Sequence, residues 1–133
     1  MAERGGTKIV VDPVGRLPFF SHASVVGNLV FVSGTLGSVG SGIELAPGGI
    51  GAETRQTLEN IRAILQGVGA DLADVAKVSV YVTNMADFPA MNEAYAEFFP
   101  PDSAPPARIT LQVAGLALGA KVEIECVATL APG

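Results

Sequence analysis

An α+β fold is predicted, with about six strands and two helices that cover one face of the sheet. Three observations carry that expectation. Two period-two runs lie near the C-terminus, two apolar runs are joined by Gly27-Asn28, and two stretches of helical period bracket a strand. Alternation marks half-buried strands, whereas recurrence every three to four residues marks an amphipathic helix. At 133 residues, with 49% apolar and 16% charged residues, the chain reads as a single domain over residues 1–133. It is long enough to bury a core and too apolar for disorder.

The C-terminal runs, residues 108–114 and 121–128, organise the rest. In the first, Ile109, Leu111 and Val113 alternate with Arg108, Thr110 and Gln112. In the second, Val122, Ile124 and Cys126 alternate with Lys121, Glu123 and Glu125. Placed in one sheet, these runs are expected to bring a cation and carboxylates onto one face, and that face is the expected site.

Each remaining element has a local reason. Residues 8–11 are β-branched and end at Asp12-Pro13. Residues 19–26 and 29–33 flank Gly27-Asn28, a hairpin signal. The glycine-rich stretch 34–51 reads as a loop, and loops on rigid scaffolds often border sites. Residues 52–68 place Leu58, Ile61, Leu65 and Val68 at helical spacing before Gly69, which supplies the stop. Residues 75–83 alternate Val78, Val80 and Val82 with Ser79 and Tyr81. A second helix is expected from a cap at Asp87 to Phe99, with Pro89 in its first turn and Pro100-Pro101 ending it. Two helices leave one sheet face uncovered. That face is expected to carry Lys77, Ser79, Tyr81, Arg108, Thr110, Gln112, Glu123 and Glu125. Water or a partner subunit would satisfy it equally well.

Composition excludes several function classes. A formal charge of −5 without clustered Lys or Arg disfavours nucleic acid and anionic membranes. One cysteine, Cys126, and one histidine, His22, make no metal site. No stretch approaches a membrane span, and the N-terminal residues lack a signal-peptide core, so a cytoplasmic protein is expected. Arg108 suits a small carboxylate, because a guanidinium donates two parallel hydrogen bonds. The same pattern also fits a salt bridge to Glu123 or Glu125. Glu123 suits a general base. Ser33-Gly34, at a strand end, offers a hydroxyl and a backbone N–H to an anion.

Together, Pro106-Ala107-Arg108, Gly119-Ala120-Lys121-Val122-Glu123-Ile124-Glu125, Leu29-Val30-Phe31-Val32-Ser33-Gly34 and the 54–65 helix resemble the RidA (YjgF) family. That resemblance implies a chorismate-mutase-like α+β fold with a mixed sheet. It also implies a homotrimer with clefts between subunits, and cofactor-free hydrolysis of small 2-imino and 2-enamino acids, such as 2-aminoacrylate, to 2-oxo acids and ammonia. In its terms Arg108 holds the substrate carboxylate and Glu123 attends the attacking water. Ser33, Gly34 and Asn92 line the pocket. Thr110 stands where many members carry Cys, and Phe20 where many carry Tyr. Phe20 and the long loop also admit a deaminase for a larger enamine acid such as an aminomuconate. A non-catalytic trimer that binds small acids or acts as a chaperone is the other alternative.

Overall fold

The computed structural model describes residues 4–131. Six strands form one mixed sheet: β1 (Thr7–Ile9), β2 (Ala23–Val26), β3 (Leu29–Thr35), β4 (Val75–Val82), β5 (Ala107–Gln112) and β6 (Val122–Thr129). Their spatial order is β1-β2-β3-β6-β4-β5. All neighbours are antiparallel except β4 and β5, which run parallel. Parallel neighbours need a long crossover, and this one contains α2 (Phe88–Ala96). The longer helix, α1 (Ile50–Gln66), connects β3 to β4. Among the described residues, no helix is long and apolar enough to cross a membrane.

The core lies between the helices and one sheet face. Val30, Val78, Val80, Val82, Val122, Ile124 and Ala128 are buried against Leu58, Ile61, Ile64 and Leu65 of α1 and Met91 of α2. Each such side chain contributes about 1.5–3 kcal/mol relative to leaving it in water. Cys126 belongs to this core, and burial pushes its thiol up to about 12. That thiol is inert at neutral pH.

Several boundaries differ from expectation for physical reasons. Chain 19–22 is not part of β2, because a turn at Pro18-Phe19 puts Phe19 in solvent. His22 then turns inward. Its Nδ1 accepts the Val11 N–H at 3.0 Å, and its Nε2 faces the Gly15 carbonyl at 3.3 Å. Nε2 therefore carries the proton in the neutral ring. The Asp87 side chain does not cap α2; Asn84 accepts the Ala86 N–H in the 3₁₀ turn before it. Strand β5 stops at Gln112, whose Oε1 accepts the Met85 N–H at 2.8 Å.

One correction governs the site. In β5, Arg108 pairs with Val78 and Thr110 with Val80, both fully core-facing positions. Glu123 pairs with Tyr81, and Tyr81 pairs with Leu111. Directly opposed residues share a face. Arg108, Thr110 and Gln112 therefore lie on the helix side. Glu123 and Glu125 lie on the open side with Lys77, Ser79 and Tyr81, and the expected meeting of Arg108 with the carboxylates on one face does not occur within one chain. Ile109 and Leu111, taken as core residues from their alternation, are instead 45% exposed each on the open face, and Phe31 is 43% exposed there.

Two buried polar residues tether the connections. Glu53, in the first turn of α1, accepts the Lys121 N–H at 2.9 Å and so positions the entry to β6. Asn60 donates from Nδ2 to the carbonyls of Leu36 at 3.0 Å and Ser38 at 2.9 Å. Asn60→Ala strands both carbonyls and is expected to cost about 1–3 kcal/mol, measured as a lowered urea midpoint at unchanged m-value.

Candidate active site

Two clefts hold the residues singled out from the sequence. The first, about 360 Å³, is lined by Phe20, Ser33, Gly34 and Glu123, with Arg16 and apolar side chains around them. Ser33 and Gly34 reach it because β3 carries a bulge. Val32 pairs with Cys126 but Thr35 pairs with Ile124, so β3 spends one residue more than β6 over that interval. A bulge turns the extra residue out of the ladder and re-aims its neighbours. Ser33 is held by its own bonds: Oγ donates to the Ser21 carbonyl at 2.6 Å, and its N–H donates to the His22 carbonyl at 2.9 Å.

Glu123 sits against this bulge. A Cβ on Gly34 would fall 2.5 Å from Glu123 Oε2, so glycine is what lets the carboxylate lie flat against the strand. Partial burial raises the Glu123 carboxyl above its ordinary range, and the neighbouring Glu125 charge adds to the effect. Glu125 is occupied, since the Tyr81 hydroxyl donates to its Oε1 at 2.8 Å. That bond, more than burial, raises the Tyr81 hydroxyl. Glu123 is therefore the carboxylate of the pair that faces the cleft.

The second cleft, about 270 Å³, is lined by Asn92, Tyr95, Phe99, Pro106 and Arg108. The Arg108 guanidinium lies 4.6 Å from the Tyr95 ring centre and 5.7 Å from that of Phe88, a cation–π stack that holds it without neutralising it. Among the described residues it has no carboxylate within 4.0 Å, and the salt bridges run instead from Arg55 to Glu97 and from Arg62 to Glu59 and Asp71. Burial pushes the Tyr95 hydroxyl up to about 12, against the pull of Arg108 beside it. Thr110 Oγ1 is buried and has no hydrogen-bond partner among the described residues. The sequence reading did not single out Tyr95, the platform under Arg108. An aromatic on the crossover helix that leads into the strand was the available signal.

The two clefts are separate. Strand β5 is two positions from β6 and three from β3, about 10 and 14 Å at ordinary strand spacing. Arg108 and Glu123 also occupy opposite faces. One chain thus carries a cationic half-site on an edge strand and an acidic half-site around a bulge.

This fold defines an α+β protein with two helices on one face of a mixed sheet, a cationic cleft at one edge and a carboxylate-bearing cleft at a bulge. Residues 13–130 match the family model described as Endoribonuclease L-PSP, and the chain belongs to that family, which is the YjgF/RidA family. It is 44% identical over 111 residues to Reactive Intermediate Deaminase A, chloroplastic, of Arabidopsis thaliana. That match covers 84% of this chain and 58% of the plant protein. It is 38% identical over 124 residues to 2-iminobutanoate/2-iminopropanoate deaminase of Dermatophagoides farinae, covering 93% of each. The crystal structure of E. coli TdcF with bound serine superposes with a TM-score of 0.84 at 31% identity, covering 94% of this chain and all of that one.

The raised Glu123 carboxyl has a signed consequence. A carboxyl held above its unfolded value binds its proton more tightly when folded. Its stabilising contribution is present below the ordinary value of 4.5 and is lost as pH rises through the folded value. Glu123→Gln is therefore expected to flatten that part of the stability profile. Relative to wild type, the variant gains stability between pH 4 and pH 8, read from urea midpoints at both pH values.

Proposed function

We propose that this chain is a hydrolase of reactive 2-imino and 2-enamino acids, converting them with water to 2-oxo acids and ammonia. The observation that carries the reading is the pair of half-sites. A stacked, charge-unpaired guanidinium and a desolvated carboxylate beside a bulge are what an imino-acid hydrolase needs, divided between two surfaces of one chain. We infer that they meet in a homotrimer, where Arg108 of one subunit faces Glu123 of the next. The names of the plant and mite relatives support the chemistry, and the serine bound to the E. coli neighbour supports a ligand of amino-acid size.

Arg108 takes the substrate carboxylate in two charge-assisted hydrogen bonds. Asn92 borders it in the same cleft, and Thr110, whose hydroxyl is buried, backs Arg108 from within the strand. The carboxylate fixed, the C2 carbon of the protonated imine sits over the cleft around Ser33 and Gly34, with Phe20 as its apolar wall. Water adds to C2 as Glu123 takes one of its protons. The resulting carbinolamine receives that proton on nitrogen. The C–N bond breaks, ammonia leaves, and loss of the hydroxyl proton closes the 2-oxo group. Such imines hydrolyse unaided, so positioning and one proton carrier suffice. Glu123, destabilised as an anion by burial, is a stronger base than a solvated carboxylate. Without the hydroxyl of a Tyr, Phe20 contributes shape and dryness only.

The family description also names an endoribonuclease. A formal charge of −5 with no cluster of Lys or Arg favours a small acid over RNA.

The test couples this protein to a pyridoxal-phosphate lyase that makes 2-aminoacrylate from serine and follows 2-oxo acid release. Acceleration is expected with wild type and is lost in Arg108→Ala and in Glu123→Gln. Mixed and reassembled, the two variants are expected to recover activity in about a quarter of the clefts, because those pair an intact Arg108 with an intact Glu123 from the next subunit. Acceleration by Arg108→Ala equal to wild type would remove the assigned role of that residue.

A further inference from the structure

The cleft around Glu123 holds a cation that the mechanism above does not use. Arg16 lines it together with Val14, Leu17, Ile43 and Leu118. Its Nη1 donates to the Phe20 carbonyl at 3.3 Å and, more weakly, to the Leu17 carbonyl at 3.5 Å. These bonds fold the side chain back over the turn that presents Phe20. They use one nitrogen of three and leave Nε and Nη2 free. Among the described residues, Arg16 makes no salt bridge within 4.0 Å, although Glu123 lines the same cleft.

The wall carrying Arg16 is built, not incidental. The Gly15 N–H donates to the Gly40 carbonyl at 3.3 Å, and the Gly15 carbonyl faces Nε2 of buried His22 at 3.3 Å. A Cβ on Gly15 would overlap the Gly42 carbonyl. The segment before Arg16 is thereby locked to the glycine-rich loop that contributes Ile43. At about 360 Å³, the cleft lies in the range of sites for extended ligands and exceeds the needs of a three-carbon acid. Besides Glu123 and the guanidinium, Val14, Leu17, Phe20, Ile43 and Leu118 give the lining its apolar part.

We propose that Arg16 makes this site selective for 2-imino acids whose side chain ends in a second carboxylate. The inference rests on the imine-hydrolase reading. Arg108 would hold the carboxylate next to the reacting carbon, and the apolar walls would hold the methylenes. Arg16 would then take the distal carboxylate through its free nitrogens. A neutral side chain of equal length would leave that guanidinium unpaired and gain nothing from it.

The test compares two imines of equal chain length made in situ by an amino-acid oxidase: 2-iminoglutarate from glutamate and 2-iminopentanoate from norvaline. Wild type is expected to favour the dicarboxylate in kcat/KM by about ten- to a hundredfold, the worth of a charge-assisted contact. Arg16→Met is expected to collapse that ratio and Arg16→Lys to retain part of it, whereas Arg108→Ala lowers both rates together. Equal ratios in wild type and Arg16→Met would overturn the proposal while leaving imine hydrolysis intact. If wild type accelerates neither imine, the hydrolase reading fails by itself and product binding decides the role of Arg16. Calorimetry would then show 2-oxoglutarate bound more tightly than 2-oxopentanoate, with the difference lost in Arg16→Met. Equal binding of the two acids by wild type would overturn it.

Discussion

The antiparallel pairing of β4 with β6 is the constraint on which the rest depends. In that register Val78 meets Cys126, Val80 meets Ile124 and Val82 meets Val122, so every core-side position is apolar and lies under the helices. The same parity sends Ser79, Tyr81, Glu123 and Glu125 to the other face. A slip of one residue would put the carboxylates in the core and the valines in solvent, so the register is fixed by hydrophobic burial alone. Glu123 owes its place to that register and to Glu53, which fixes the backbone at Lys121 where β6 begins.

Burial and charge then divide the labour between two neighbouring carboxylates. Glu125 is tied to the Tyr81 hydroxyl, and Glu123 is left pressed against Gly34 beside an open cleft. Removing water from Glu123 penalises its charged form, and the unpaired negative charge of Glu125 nearby adds to that. A bulge in β3, one glycine and one tyrosine suffice to tie one carboxylate by a hydrogen bond and to leave the other facing the cleft.

Much of this was legible in the sequence. All six strands and both helices were placed within a few residues, and the matched motifs pointed to Arg108, Glu123, Ser33 and Gly34. Which face Arg108 occupies was not legible. Alternation reports a period but not a phase, and the apolar set Ile109, Leu111 and Val113 was the natural choice for the core side. Strand β5 inverts that choice because it is an edge strand beside α2. Its core side meets the rings of Tyr95 and Phe88, which hold a guanidinium well, and its other side leaves Ile109 and Leu111 exposed on the open face. The bulge at Ser33-Gly34 was equally hidden, since it appears only as a register shift against a strand ninety residues further along the chain. The locking of Gly15 to Gly40 and Gly42 depends on two loops meeting, and no local pattern encodes it.

The inverted parity of β5 has a functional logic. Its even-numbered residues, Arg108 and Thr110, point to the helix side and make the cationic half-site. Its odd-numbered residues, Ile109 and Leu111, are exposed on the open face, large apolar side chains of the kind that a partner covers. In the proposed trimer one short strand therefore does both jobs. In that proposal, covering Ile109 and Leu111 with a second subunit would also bring Arg108 towards a neighbour's Glu123, which would tie assembly to catalysis at this edge. On the same proposal, a chain that failed to associate would keep both clefts folded, yet leave Arg108 on the opposite face of the sheet from its own Glu123.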